Sequence, residues 1–172
     1  MKRLMVLMAV VFLFLGGIAH AAGTATLTVE WTSVSAGAGI PAAAELKWVC
    51  TGNATGDLTS PTVTTTSTTD ILLNQIFKVA RRIDRILIDP TGGGGTAPAN
   101  LFDIELRLSS TFANDLLGGL GDNCGNTTII MDAPVTETNS YPVHLRETPV
   151  IFGDNLGATR TFAIWILLTA TD

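Results

Sequence analysis

Charge is scarce in this 172-residue chain: Asp, Glu, Lys and Arg make up 15% of it and aromatic residues 6%. The 10 basic residues are outnumbered by 15 acidic ones, so the positive footprint that a nucleic-acid backbone demands is missing. Histidine is nearly absent: of two, His20 lies in the N-terminal apolar segment, which leaves His144 as the one imidazole for any catalytic device. No Gly-x-Ser-x-Gly elbow accompanies it, and a lone histidine beside Leu145 suits a strand or a surface. One histidine and two cysteines are too few for a zinc site. Long apolar runs are also missing. The longest, 4–18, has 15 residues, short of the roughly 20 that a spanning helix needs. These absences point to a non-enzymatic protein with no cofactor, no nucleic-acid partner and no stable membrane insertion.

What the N-terminus does contain is ordered. Lys2 and Arg3 precede the apolar run, Gly16 and Gly17 break it, and Ala19-His20-Ala21 ends it in small-x-small form, the layout of a secretory signal peptide cleaved after Ala21. Residues 1–21 are therefore read as the signal and 22–172 as one exported domain of 151 residues. Loss of Lys2 and Arg3 leaves 8 basic against 15 acidic residues, a formal charge of −7 that favours solubility. Cys50 and Cys124 both belong to the exported part, and an even count in an oxidising compartment predicts one disulfide; the alternative is two buried free thiols.

Alternation predicts strands. Leu27, Val29 and Trp31 alternate with threonines and Glu30 over 24–34, and Leu46, Trp48 and Cys50 alternate with Glu45 and Lys47 over 44–51. The threonine-rich tract 62–69 favours extended backbone. Leu72, Ile76, Val79, Ile83 and Ile86 have helical spacing with Thr69 or Asp70 as a cap, yet 82–89 also reads as a strand. We expect a strand from about Ile83 and leave 71–81 open to a short helix. Phe102, Ile104, Leu106 and Leu108 share one face of the next strand, with 127–131, 143–146, 149–152 and 160–171 as further strands. The last is apolar on both faces, as in a central strand or one against a neighbouring subunit. The fold class that follows is all-β: an antiparallel β-sandwich of about seven to nine strands, Ig-like or jelly-roll-like.

Candidate sites are few. Gly92–Gly95 is followed by Thr96-Ala97-Pro98 instead of the Lys-Ser/Thr of a phosphate loop, so it reads as a flexible crossing. Asp115, Asp122, Asn123 and Asn126 offer oxygen ligands suited to Ca²⁺, but without EF-hand spacing, and Asp and Asn are ordinary turn formers. Lys78, Arg81, Arg82 and Arg85 form the basic cluster, read as a solvated face paired with Asp84 and Asp89 or as a contact with an acidic neighbour. Asn53-Ala54-Thr55 and Asn126-Thr127-Thr128 fit the glycosylation acceptor pattern.

Val29-Glu30-Trp31-Thr32-Ser33, the Gly-rich step into Thr96-Ala97-Pro98, the Phe102-Asp103-Ile104-Glu105-Leu106 strand, Asp115-Leu116-Leu117-Gly118-Gly119 and a turn at Gly157 occur in that order. Together they resemble a family of small tailed-phage and prophage structural proteins. The resemblance implies a virion component whose partners are copies of itself or other structural proteins. The chain departs from that pattern in its export signal, its cysteine pair and the absence of glycine over 109–114. A particle that matures outside the cytoplasm, or a phage gene taken over for export, reconciles the two. The alternative expectation is a secreted β-sandwich that binds carbohydrate or a surface ligand, for which Tyr141 is the aromatic outside the strands; Trp31, Trp48 and Trp165 fall within strands and are expected in the core.

Overall fold

Period-two alternation is realised as nine strands and one helix among the residues that the computed structural model describes: 22–33, 39–59, 61–108, 114–132 and 144–170. In chain order these are β1 (Thr24–Thr32), β2 (Ala43–Thr51), β3 (Thr62–Thr64), α1 (Ser67–Ile76), β4 (Arg81–Asp89), β5 (Asp103–Arg107), β6 (Ile130–Asp132), β7 (His144–Leu145), β8 (Val150–Asp154) and β9 (Thr161–Ala170). The fold is an all-β, two-layered sandwich. Seven strands form a large sheet in the order β3-β1-β2-β9-β4, with β6 and β7 both paired to β4, and β5 and β8 form a small second sheet. All pairings are antiparallel except β1 with β3, which is parallel and departs from the wholly antiparallel expectation. The predicted signal over 1–21, the glycine-free stretch 109–113 and Tyr141 lie outside the described residues.

The core fills the space between the two layers. From the large sheet it takes Ala25, Leu27, Leu46, Trp48, Cys50, Ile86, Ile88, Phe162, Ile164, Ile166 and Leu168, from the small one Ile104, Leu106 and Ile151, and from the residue before β5 Phe102. β2 shows why: every second residue from Ala44 to Cys50 is fully buried, while Glu45, Lys47 and Val49 between them are half-buried on the other face. Each fully buried Leu, Ile or Phe contributes about 1.5–3 kcal/mol by leaving water.

The open segment 71–81 is split. α1 starts earlier than expected because Thr66, not Thr69 or Asp70, is the N-cap, its hydroxyl accepting from the Thr69 amide at 3.2 Å. Thr69, Leu73 and Ile76 then make the buried stripe, and Ile71 is left exposed. Arg81 ends the connection and opens β4, two residues before the expected start. It is fully buried: its Nε donates to the Ile76 carbonyl at the helix C-terminus at 2.6 Å and its Nη1 to the Ala42 carbonyl at 3.3 Å.

Two glycine-rich segments owe their composition to close approach. The 92–95 run does not form a flexible crossing but lies on β9: a Cβ at Gly93 would stand 2.8 Å from the Phe162 amide nitrogen, and one at Gly95 2.6 Å from the Thr161 hydroxyl. The Gly95 amide donates to that hydroxyl and the Thr161 amide to the Thr96 carbonyl. The second segment, 115–124, runs along the free edge of β5. Leu116 and Cys124 donate to the carbonyls of Leu106 and Phe102, Ile104 donates to Gly121, and a Cβ at Gly121 would lie 2.0 Å from the Ile104 oxygen. An edge that would otherwise invite pairing with another chain is thereby covered.

Candidate functional site

The outer face of the large sheet, turned away from the small one, is built by the strand registers. Beyond Val29, β1 shifts register against β2, so that Val29 pairs with Leu46 but Trp31 with Glu45. This bulge moves Trp31 off the core face that it was expected to share with Leu27 and Val29, and leaves it 44% exposed. The expectation that all three tryptophans are core residues therefore holds for Trp48 alone; Trp165 is half-buried on the outer face.

Trp31 starts a row that crosses four strands: Trp31 pairs with Glu45, Glu45 with Leu167, and Leu167 with Arg85. Arg85 Nη2 reaches over Leu167 to Glu45 Oε1 at 3.1 Å. The neighbouring row is Thr28, Lys47, Trp165 and Leu87, with the Lys47 ammonium 4.8 Å above the Trp165 ring centroid. Leu87, Trp165 and Leu167 are all half-buried, so this face is amphipathic.

The small sheet carries a different surface. Leu58, Thr59, Asp103, Glu105, Arg107, Phe152, Gly153 and Asp154 line a cleft of about 180 Å³. Arg107 lies over the Phe152 ring at 4.2 Å and pairs with Glu105, its Nε donating at 2.6 Å. Asp103 accepts from the Asn123 amide at 2.7 Å and from the Asn155 side chain at 3.2 Å. The Asp154 carboxyl is raised above the usual range by burial first, then by Asp57, Glu105 and Asp103, against which Arg107 acts in part. At 180 Å³ the cleft is smaller than the roughly 300–1,000 Å³ of small-molecule pockets, and Arg107 and Glu105 within it hold each other.

The remaining sequence candidates separate. The predicted disulfide is not formed: Cys50 and Cys124 are both free and buried. Cys50 sits opposite Phe162 in the large sheet and Cys124 opposite Phe102 beside the small one, and the two phenyl rings pack together between the layers. The Cys124 thiol is taken up by the Gly121 carbonyl at 3.2 Å. Asp115, foremost of the calcium candidates, turns its oxygens to backbone, accepting from Leu106, Leu117 and Gly119 at 3.0, 3.0 and 3.1 Å, and so shapes the Asp-Leu-Leu-Gly-Gly turn. Asp122 and Asn123 are exposed further along and Asn126 is half-buried; among the described residues no three His, Cys, Asp or Glu side chains gather as metal ligands would.

The basic cluster is likewise divided. Arg81 is buried, Arg82 pairs with Asp84 at 2.7 Å, Arg85 pairs with Glu45, and Lys78 is exposed. Asp89, expected as a partner for these cations, accepts from the Thr91 amide and hydroxyl at 2.8 Å. His144, in β7, pairs through its backbone with Arg82 of β4. Asn53, the first glycosylation candidate, is buried, and its side-chain oxygen accepts from the Thr55 amide and hydroxyl and from the Asp57 amide. The outer-face row was the feature missed in the sequence, because Glu45, Leu167 and Arg85 become neighbours only through the strand order and the bulge that adds Trp31 leaves no break in the alternation around Glu30. Comparison with protein-family models, with curated proteins and with solved structures finds no match for this chain.

Proposed function

We propose that this protein is a non-enzymatic structural component, exported and built into a phage-type virion or a surface particle, which acts by packing against copies of itself. The observation that carries this reading is the two-sidedness of β9. Its inner residues Phe162, Ile164, Ile166 and Leu168 are fully buried, yet Trp165 and Leu167 on its other side are apolar and only half-buried at the centre of a seven-stranded sheet. Apolar side chains that stay half-buried in the middle of a sheet face are the mark of a contact surface, here with Lys47 stacked on the Trp165 ring and the Gly92 backbone against its edge. The β1 edge adds to it: β3 pairs with Thr24–Thr26 only, and among the described residues no strand continues that pairing toward Thr32. Sedimentation velocity of the exported protein over a wide concentration range tests the reading. Concentration-dependent assembly is expected, and a monomer throughout would overturn it.

One observation favours a second reading, a secreted binding module for carbohydrate or a surface ligand. Trp31 is 44% exposed beside Glu45, as a sugar-stacking side chain would be. Binding on a glycan array that disappears with Trp31→Ala would place this reading first.

A further inference from the structure

The geometry points to a specific self-contact: two copies of this chain pack outer face to outer face across their large sheets, about a two-fold axis that runs along β9. This rests on the assembly reading above and names the contact. Three successive rows cross β2, β9 and β4 on that face, namely Glu45–Leu167–Arg85, Lys47–Trp165–Leu87 and Val49–Ala163–Asp89. Trp165 and Leu167 form an apolar spine. The β2 flank carries Glu45 and Lys47 and the β4 flank Arg82, Arg85 and Asp89; Glu45 has its opposite directly across the spine in Arg85, Lys47 and Asp89 stand in adjacent rows, and Arg82 stands across from Ala43. A two-fold axis along the spine exchanges the flanks. It brings Glu45 against the second copy's Arg85, Arg85 against the second copy's Glu45, and Lys47 within a diagonal step of the second copy's Asp89, while the two Leu167–Trp165 spines align with the Lys47 and Glu45–Arg85 side chains between them. An isologous interface must be self-complementary, and the exchange of Glu45 and Arg85 across the two-fold meets that condition. Facing sheets pack about 10 Å apart with strands within about 30° of alignment, which keeps these central side chains in reach of one another. The existing Glu45–Arg85 pair holds both side chains on the face before contact, at 16% and 41% exposure.

Charge reversal in trans tests the contact. Glu45→Arg and Arg85→Glu, prepared separately from the full chain, each place like charges across the two-fold and should weaken dimerisation by at least about tenfold. Mixed, they are complementary at both contacts, because one copy then has two positive and the other two negative residues at 45 and 85, and a heterodimer should form at the wild-type concentration. Loss of the internal pair alone cannot be repaired by mixing. If wild type assembles and both variants assemble equally well, this face is not the contact, although the assembly reading stands. If wild type stays monomeric, both fall. Should either variant fail to fold, carbodiimide coupling of wild type decides the matter. A link between Lys47 and the Asp89 of another copy supports the contact, and an assembled sample without that link overturns it.

Discussion

The rings of Phe102 and Phe162 pack across the two layers with centroids 6.1 Å apart and planes tilted by 39°. Phe102 precedes β5 and Phe162 lies in β9, so this pair joins the small sheet to the centre of the large one. Both are fully buried. Phe162→Ala should cost about 3–5 kcal/mol, through lost transfer energy and a cavity between the layers. Urea denaturation followed by tryptophan fluorescence checks this: the midpoint should fall at an unchanged slope, whereas a loss under about 1 kcal/mol would mean that the layers do not depend on the pair.

Gly121 should tolerate no side chain. A Cβ there would sit 2.0 Å from the Ile104 carbonyl oxygen, and its backbone is not left-handed, so the penalty is one of space alone. Gly94 provides the contrast, with φ +75° and nothing within 4 Å of an added Cβ. Gly121→Ala is expected to cost about 3 kcal/mol or more by prising 115–124 off β5, and Gly94→Ala about 1–2 kcal/mol from backbone strain. Thermal melts of the two variants should rank them in that order.

Most of the strand layout was legible because alternation over 24–34, 44–51 and 102–108 directly reports a pleated strand with one buried face, and 160–171, apolar on both faces, reads as a central strand. Where a backbone irregularity intervenes, it was not. The bulge after Val29 reverses the faces from Trp31 onward, and alternation cannot reveal a shift that depends on the register of the neighbouring strand. The tetraglycine run was misread as flexible for a related reason: its composition is set by Thr161 and Phe162, far away in sequence. The cysteine count suggested a bridge, but whether two thiols meet is decided by which layer each strand enters. The charged row on the outer face was visible as residues and not as a site, because Glu45, Leu167 and Arg85 become neighbours only through the order β2-β9-β4.

Arg81 should be the least replaceable cation in the chain. It is buried, it bonds to the Ile76 and Ala42 carbonyls, its Nη2 has no hydrogen-bond partner, and burial lowers the pKa of its guanidinium. Arg81→Ala is expected to cost about 2–4 kcal/mol, since the buried Ile76 carbonyl loses its side-chain donor at the end of α1 and a large buried side chain is removed, while the Ala42 carbonyl keeps the Ala170 amide. Arg82→Ala, which breaks only an exposed pair with Asp84, should change stability by about 0.2–1 kcal/mol. Equal effects of the two in chemical denaturation would contradict the buried role.

Both thiols should be silent in the native protein. A thiol-reactive chromophore is expected to label neither Cys50 nor Cys124 until denaturant is added, and a reductant should leave the melting temperature unchanged. Burial, then Asp103 and Asp122, pushes the Cys124 thiol up to about 11, and burial also raises Cys50. A folded-state pKa above the unfolded one means that the folded protein keeps its proton longer. Stability is thus intact below about pH 8.5, the unfolded thiol value, and declines as pH rises through about 11. Cys124→Ala should flatten that alkaline decline, and stability that falls just as steeply in this variant would assign the decline to other groups.

Asp154 gives the opposite limb of the pH profile. Its carboxyl is raised by burial and by Asp57, Glu105 and Asp103, against Arg107, and because the residue is exposed the folded state carries a small, solvent-screened cost of this charge at neutral pH. As pH falls through the raised folded value toward the unfolded one, about 3.9, the folded state takes up its proton first and regains that stability. Asp154→Asn removes the charge without much change in shape. It should therefore be more stable than wild type at pH 7, and the difference should shrink as the pH is lowered and vanish below about pH 4. Chemical denaturation of both proteins at intervals between these pH values measures the difference directly. A variant that is less stable than wild type at pH 7 would mean that the Asp154 carboxylate makes a favourable contact that outweighs the repulsion from its three acidic neighbours.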